Sequence, residues 1–322
     1  MIKRIGFIVP YFGKLPEYFQ VWLESCKTNP TIDWFLFTND KAIFDYPANV
    51  KVEYTTLENI KSLINEQYDF EINLSRPYKL CDYKIAYGEI FNKYLKGYDF
   101  WGFCDIDIIW GNIRKFFNNE LLDFYDKIGV QGHCTIFKNT CDINSVYRNK
   151  IDGFESIQTY FQREDINCLD KNYISKEFEY AGLKIYEETI YAGLHKYFPG
   201  FYLQGLGDEE DEYSRHNLFL WDNGTLTRYY FKENKLVSKE YLYIHFFCRP
   251  MKNLISKMDR ILIWPDCYKS FYDEIDEHLV RTFGKKAKIA YYFRVFIQNR
   301  KKLSIGKLIN FIKMKHNYKY IR

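Results

Sequence analysis

Through the first third of the chain, apolar runs of strand length alternate with stretches whose apolar residues recur at helical spacing. That alternation restricts the fold more than any other feature. IGFIVPYFG (5–13) reads as a buried strand running into a loop at Pro10 and Gly13. A helix is expected next, with Pro16 near its first turn and Tyr18, Phe19, Trp22, Leu23 and Cys26 at helical spacing. WFLFTND is a second strand ending in the turn residues Asn39 and Asp40, and VKVEY (50–54) is a third. SRPYKLCDYKIAYGEIFNKYL (75–95) reads as one helix, with the strand WGFCDID after it. This rhythm implies an α/β domain around a largely parallel sheet. In such sheets ligands sit beyond the carboxyl ends of the strands, and FTND and CDID are ends of that kind.

Further on, IGVQGHCTIFKN (128–139) reads as a strand pair, and LFLWDNGTLTRYYF as a hairpin turning at Asp222, Asn223 and Gly224. EYLYIHFFCRP (240–250) is a last strand closed by Pro250. Beyond about residue 268 the pattern turns helical and basic, and the expected division is a catalytic domain over 1–255 and a basic helical extension over 256–322. Residues 285–322 hold 12 Lys or Arg and no Asp or Glu, which leaves 34 basic against 42 acidic residues in the rest. Within that segment Ile305, Leu308, Ile309 and Ile312 fall at amphipathic spacing among lysines. Such a helix could lie on an anionic membrane surface, or pack on the body with its basic face in solvent. Nucleic acid is not an expected partner, because no nucleic-acid motif accompanies the charge and the body is acidic.

With 47% hydrophobic and 27% charged residues, the chain is composed as a globular protein and not a disordered one. No apolar run approaches the roughly 20 residues that span a bilayer, and Pro10 cuts short the apolar stretch that a signal peptide would need. The eight cysteines include no C-x-x-C pair, as expected of reduced thiols in a cytoplasmic protein rather than of a zinc site.

FWGFCDIDIIWG (100–111) sets Asp105 and Asp107 among apolar and aromatic residues, where carboxylates are seldom found without a partner. If the chain turns there, the two carboxylates converge and repel unless a proton or cation lies between them. Mg²⁺ or Mn²⁺, hard ions that also bind a substrate diphosphate, are the natural partners. The plainer alternative is one aspartate capping the following turn and one solvated on a loop. An EF-hand does not fit, since its fifth, sixth and twelfth positions would be Ile109, Trp110 and Phe116.

His245, in YIHFFCRPM (243–251), is a further ligand candidate or else a structural histidine of an apolar strand. Arg249, four residues on, could hold a diphosphate. In RPYKLCDYK, Arg76 stands at a helix start with Lys79 and Asp82 on one face. These three make either an anion-binding helix start or a solvated charged face.

Together, IGFIVPYFGKLPEYF, FTND, RPYKLCDYKIAYGEIF, YDFWGFCDIDIIWGNIRKFF, GHCTIFKN and YIHFFCRPMK resemble a family of bacterial glycosyltransferases of polysaccharide (capsule and O-antigen) assembly. The resemblance covers about residues 3–251 and is densest over 76–139. It implies the GT-A fold, a Rossmann-like nucleotide-sugar-binding α/β domain with a D-x-D metal motif. It implies that Asp105 and Asp107 hold Mn²⁺ or Mg²⁺ on the donor diphosphate, with His245 completing the coordination. By the same resemblance Pro10, Tyr11, Phe12, Thr38, Asn39 and Asp40 line the nucleoside pocket, Arg76, Lys79 and Asp82 contact nucleotide or donor sugar, and Gly132-His133 lies on the acceptor side.

The family pattern also implies a Phe-Asp-Glu stretch, for which this chain offers Tyr186-Glu187-Glu188, or less well Phe178-Glu179. An inverting reaction would take Glu188 or Glu187 as its base, and a retaining one needs none. The expected activity is sugar transfer from a nucleoside diphosphate, UDP foremost, to a glycan hydroxyl at the inner face of the membrane. An acceptor on a polyprenyl lipid would account for the basic segment. A nucleotide-binding scaffold without catalysis, and a metal-dependent phosphohydrolase, are the rival readings.

Overall fold

The computed structural model describes residues 1–194, 203–204 and 217–283. In chain order the first half runs β1 (Ile5–Tyr11), α1 (Phe19–Lys27), β2 (Ile32–Thr38), β3 (Val50–Tyr54) and α2 (Leu57–Asn65). After a series of short turns come β4 (Phe100–Cys104), β5 (Ile108–Trp110), β6 (Lys127–Gln131), β7 (Cys134–Lys138) and β8 (Ile185–Tyr186). Seven of these strands form the central sheet in the order β3-β2-β1-β4-β7-β6-β8. The first four are mutually parallel, β7 runs against both β4 and β6, and β8 is parallel to β6. The domain is therefore a mixed α/β fold with a mostly parallel central sheet.

The strands form where the sequence can bury both faces. On β1, Ile5, Phe7 and Val9 face one apolar cluster with Trp22, Trp34 and Trp110, while Ile8 faces another with Phe37, Tyr87 and Phe103. Continuous rather than alternating hydrophobicity is the mark of such a doubly covered strand. Only β3, at the sheet edge, carries exposed charge, at Lys51 and Glu53. The chain winds outward from β1 through β2 to β3 and then returns to the other side of β1 as β4. The resulting switch point, between the carboxyl ends of β1 and β4, is where a parallel sheet opens a crevice.

The remaining strands are β9 (Ala192–Leu194), β10 (Leu203–Gln204), β11 (Leu218–Asp222), β12 (Thr225–Lys232), β13 (Lys235–Glu240), β14 (Tyr243–His245), β15 (Lys252–Leu254), β16 (Arg260–Ile263) and β17 (Cys267–Ser270). They make two sheets, β10-β9-β14-β5 and β13-β12-β11-β16-β17-β15. The β11–β12 hairpin turns at Asn223 and Gly224, both at positive φ (46° and 92°), which is the Asn-Gly chemistry of a tight turn.

Two expectations need correction here. A division at residue 255 would cut through a sheet, because β11 pairs with β16, and β15 with β17. Ile261, Leu262, Ile263 and Tyr268 are buried in one cluster with Leu218–Trp221, so hydrophobic burial carries the body to at least residue 270. The helical turns over 277–283 follow, and the basic segment 285–322 lies outside the described residues. The expected helix over 75–95 is a broken series of a 3₁₀ turn (Pro77–Lys79), an α turn (Leu80–Tyr83), a second 3₁₀ turn (Lys84–Ala86) and an α turn (Tyr87–Ile90). Each 3₁₀ turn carries a lysine whose ammonium is taken up by carbonyl oxygens inside the protein: Lys79 by Tyr160 and Asp165, Lys84 by Gly132. Apolar periodicity does not register such inward lysines.

Lys127, at the start of β6, is fully buried, and its ammonium donates to Ser175 Oγ at 2.8 Å. Burial pushes it down to about 7 from 10.5, against the pull of Glu177, Glu187 and Glu179. Between these two values the unfolded chain binds a proton that the folded chain does not, so this group makes stability rise with pH across that window. Buried Glu177, itself pushed up by burial, acts in the opposite sense from about pH 4.5 upward, so variant and wild type are compared at each pH. Lys127→Met is expected to be more stable than wild type by about 2 kcal/mol at pH 7. The gap should close toward pH 10, as read by urea denaturation at the two pH values.

Candidate metal centre

Asp105 and Asp107 sit where the chain crosses from one sheet to another. The ladder between β4 and β7 runs one step past Cys104, with Asp105 N–H donating to the His133 carbonyl at 2.9 Å. Ile106 is buried, and the chain then enters β5, which pairs antiparallel with β14. His245 lies opposite Ile108 in that pairing, and Phe246 N–H donates to the Asp107 carbonyl at 2.9 Å. The turn between sheets thus delivers both carboxylates to the imidazole of a strand about 140 residues later. His245 Nε2 is 3.2 Å from Asp107 Oδ1 and 4.0 Å from Asp105 Oδ2. One ligand atom from each of the three residues falls within 4.8 Å of the others.

Asp107 is 6% exposed. Burial alone would raise its carboxyl, but His245 and the backbone N–H of Cys248 outweigh it and hold it below the usual carboxylate range. That N–H is aimed by two successive left-handed residues, Phe247 and Cys248, at φ 50° and 55°. Non-glycine residues are rarely found there, and such strain gathers at functional sites. The His133 ring lies 4.0 Å from the His245 ring at 33°, and its Nδ1 meets Tyr243 Oη at 3.1 Å. Burial, and then the neighbouring His245, push His133 far below the ordinary histidine range, so it stands as a neutral imidazole. Two carboxylates and one imidazole make an O,O,N set that suits Mn²⁺ or Mg²⁺ and lacks the thiolates of a structural zinc site. His245 Nδ1, buried and without a hydrogen-bond partner among the described residues, leaves Nε2 as the nitrogen turned to the carboxylates.

Two residues that the sequence reading missed complete the electrostatics. Lys84 Nζ lies 2.8 Å from Asp105 Oδ1, 2.6 Å from the Gly132 carbonyl and 3.4 Å from Asp170 Oδ2. Burial opposes its charge, yet Asp105 and Asp170 hold it above the ordinary lysine range. Asp170 is pushed up to about 6 by burial, with Lys84 pulling the other way. No spacing rule links Lys84 to Asp105 or Asp170, since the three come together only through the broken turns, the end of β4 and the helical turn Leu169–Asn172.

The other expected residues are placed variously. Tyr11, at the end of β1, is half-buried and donates to the Lys14 carbonyl at 3.4 Å; burial and then the charges of Cys248, Asp107 and Asp40 raise its phenol. Pro10 and Phe12 flank it, half-buried, and Thr38 at the end of β2 is buried. Asn39 and Asp40 staple the loop after β1, accepting from Gly13 N and Leu15 N at 2.8 Å each. Arg76 is exposed at the start of the first 3₁₀ turn.

Lys79 and Asp82 are not presented to a ligand. Both are fully buried, 2.7 Å apart, and their further bonds go to Tyr160, Asp165, Asn167 and Leu169. Arg249 is also buried, with Nη1 donating to the Pro265 carbonyl at 3.4 Å. Glu187 and Glu188 are exposed and line a separate cavity of about 500 Å³ with Tyr125, Tyr186 and Glu179. They are outside the set that converges on His245. Gly132 and His133 form the β6–β7 turn beside Asp105, and Phe178 is a core residue.

Among the described residues no helix is long and apolar enough to cross a membrane. One protein-family model, described as a family of unknown function (DUF6625), matches residues 7–272. No curated protein matches the chain.

Proposed function

The chain belongs to that family, DUF6625, and we propose that it is a metal-dependent glycosyltransferase of GT-A type, moving a sugar from a nucleoside diphosphate, UDP foremost, to a glycan hydroxyl. The observation that carries this reading is the convergence of Asp105, Asp107 and His245 beyond the carboxyl ends of β1 and β4. That is the crevice where a parallel sheet receives a nucleotide.

In this reading Asp105, Asp107 and His245 hold Mn²⁺ or Mg²⁺, which when bound acts as a Lewis acid and neutralises charge on the departing diphosphate. Tyr11 forms the wall toward the nucleoside, and the loop beside it is fixed by Asn39 and Asp40. Neutral His133, stacked on His245, excludes water from the imidazole's face and adds no charge to oppose a cation. An inverting reaction would take Glu187 or Glu188 as its base only if the acceptor reached the separate cavity that they line. A retaining reaction needs no base. A lipid-linked glycan at the inner membrane face is the acceptor that the basic 285–322 segment fits best.

Calorimetric titration of UDP with and without Mn²⁺ tests the reading. Binding that requires the ion, followed by slow hydrolysis of one UDP-sugar, is the expected result. UDP that binds equally well without metal, or not at all, removes the basis for the assignment.

A further inference from the structure

We infer that Lys84, held in place by Asp170, is a positioning residue for the metal ligand Asp105, deciding which of its carboxylate oxygens faces the cation. The inference rests on the metal-site reading above and goes beyond it, since neither Lys84 nor Asp170 belongs to the ligand set, and Lys84, although it closes the RPYKLCDYK stretch, was given no role there.

Asp105 is the most exposed of the three ligand residues, with 38% of its side chain open against 7% for Asp107 and 5% for His245. Left to itself, an exposed carboxylate samples several rotamers and offers either oxygen. Here it is fixed at both ends. Its N–H is tied to the His133 carbonyl at 2.9 Å, and Oδ1 is taken by Lys84 Nζ at 2.8 Å. Oδ2 is left as the oxygen turned to His245 Nε2.

Lys84 cannot wander either. Its side chain is 13% exposed, and its other two contacts, the Gly132 carbonyl at 2.6 Å and Asp170 Oδ2 at 3.4 Å, lie on separate segments. Gly132 precedes the residue that anchors the Asp105 backbone, so one ammonium ties together the turn and the side chain it presents. There is no room at Gly132 for more: an added Cβ would stand 2.5 Å from Asp170 Oδ2. Asp170, 6% exposed at its side chain, supplies the second negative charge that keeps the ammonium from being drawn wholly to Asp105. Hydrogen-bond partners of metal-binding carboxylates are commonly worth 10–100-fold in metal affinity.

The test is Mn²⁺ binding to the full chain, followed by the loss of the free-ion paramagnetic resonance signal, with no nucleotide or sugar present. Lys84→Met is expected to weaken Mn²⁺ by about 10–100-fold. Lys84→Arg, which keeps a cationic donor, should stay within about threefold of wild type. Asp170→Asn, which touches no metal ligand, should weaken Mn²⁺ by several-fold, and adding it to Lys84→Met should cost nothing further, because its effect passes through the lysine. A merely structural role for Asp170 would give additive losses instead, and that outcome overturns the inference. So does an unchanged or tighter affinity in Lys84→Met. If Lys84→Met does not fold, Lys84→Arg and Asp170→Asn decide the matter: an Asp170→Asn protein that binds Mn²⁺ as tightly as wild type overturns the inference, and a several-fold loss there with Lys84→Arg near wild type supports it. Wild type that fails to bind Mn²⁺ defeats the metal-site reading itself, a result distinct from wild type and Lys84→Met binding equally.

Discussion

On the proposed reading, Asp107→Asn is expected to abolish the Mn²⁺-dependent part of UDP binding and to lower sugar transfer by about 10²–10³-fold, because it replaces the most enclosed carboxylate of the candidate set. Asp107 is 6% exposed, and its negative form is held by His245 at 3.2 Å and by the Cys248 N–H. Asparagine keeps the shape and can still accept from Cys248, so the backbone between β4 and β5 has no reason to move. What it loses is a full charge facing a divalent ion and a diphosphate in a partly desolvated crevice. A thousandfold loss corresponds to about 4 kcal/mol, within what one charged contact to a metal supplies in such surroundings. Calorimetry reads the binding, release of free nucleoside diphosphate or of transfer product reads the turnover, and circular dichroism verifies the fold. An Asp107→Asn protein that is folded and still needs Mn²⁺ to bind UDP would show that the ion sits elsewhere.

The sequence carried the part of this centre that is local. β1, β2 and β4 are legible because each is a short run of apolar residues buried in the sheet interior and closed by turn residues, and β3 because its β-rich residues alternate with charge, as at a sheet edge. Asp105 and Asp107 stand out because a carboxylate at the end of such a run has no apolar explanation. His245 could be named as a candidate, but only the pairing of β14 with β5 sets it beside Asp107, and pairing across about 140 residues leaves no trace in local composition. Lys84 and Asp170 were invisible for a further reason. Read at 3.6-residue spacing, 75–95 is an amphipathic helix whose charges belong on the solvent side. The two 3₁₀ turns rotate Lys79 and Lys84 inward, where Asp82 and Asp105 neutralise them and carbonyl oxygens 48 to 86 positions away take up their remaining protons. The boundary at 255 failed in the same way: β16 and β17 are short and isolated in sequence, and only their pairing with β11 and β15 makes them part of the body.

Asp82→Ala is expected to destabilise the fold by about 3–5 kcal/mol, although Asp82 is not among the residues that converge on His245. The reason is the charge it would strand. Lys79 and Asp82 are both 0% exposed, and removing one partner of a buried pair leaves the other ion desolvated and uncompensated. Asp82 does more than neutralise, because its two oxygens also accept the backbone N–H groups of Asn167, at 3.0 and 3.1 Å, and of Leu169, at 3.3 Å. Those bonds set the course of the chain into Asp170, the next residue, and so into Lys84. The variant should therefore weaken Mn²⁺ binding even under conditions where it remains folded, which urea denaturation and metal titration measure separately. Lys79→Met combined with Asp82→Leu separates the two roles. It removes the stranded charge and should recover part of the stability, yet it leaves the Asn167 and Leu169 N–H groups without their acceptor. Metal affinity should consequently stay low in the double variant while stability rises above that of Asp82→Ala. Recovery of both together would mean that the pair acts through charge alone and that the course of the chain into Asp170 is fixed by other contacts.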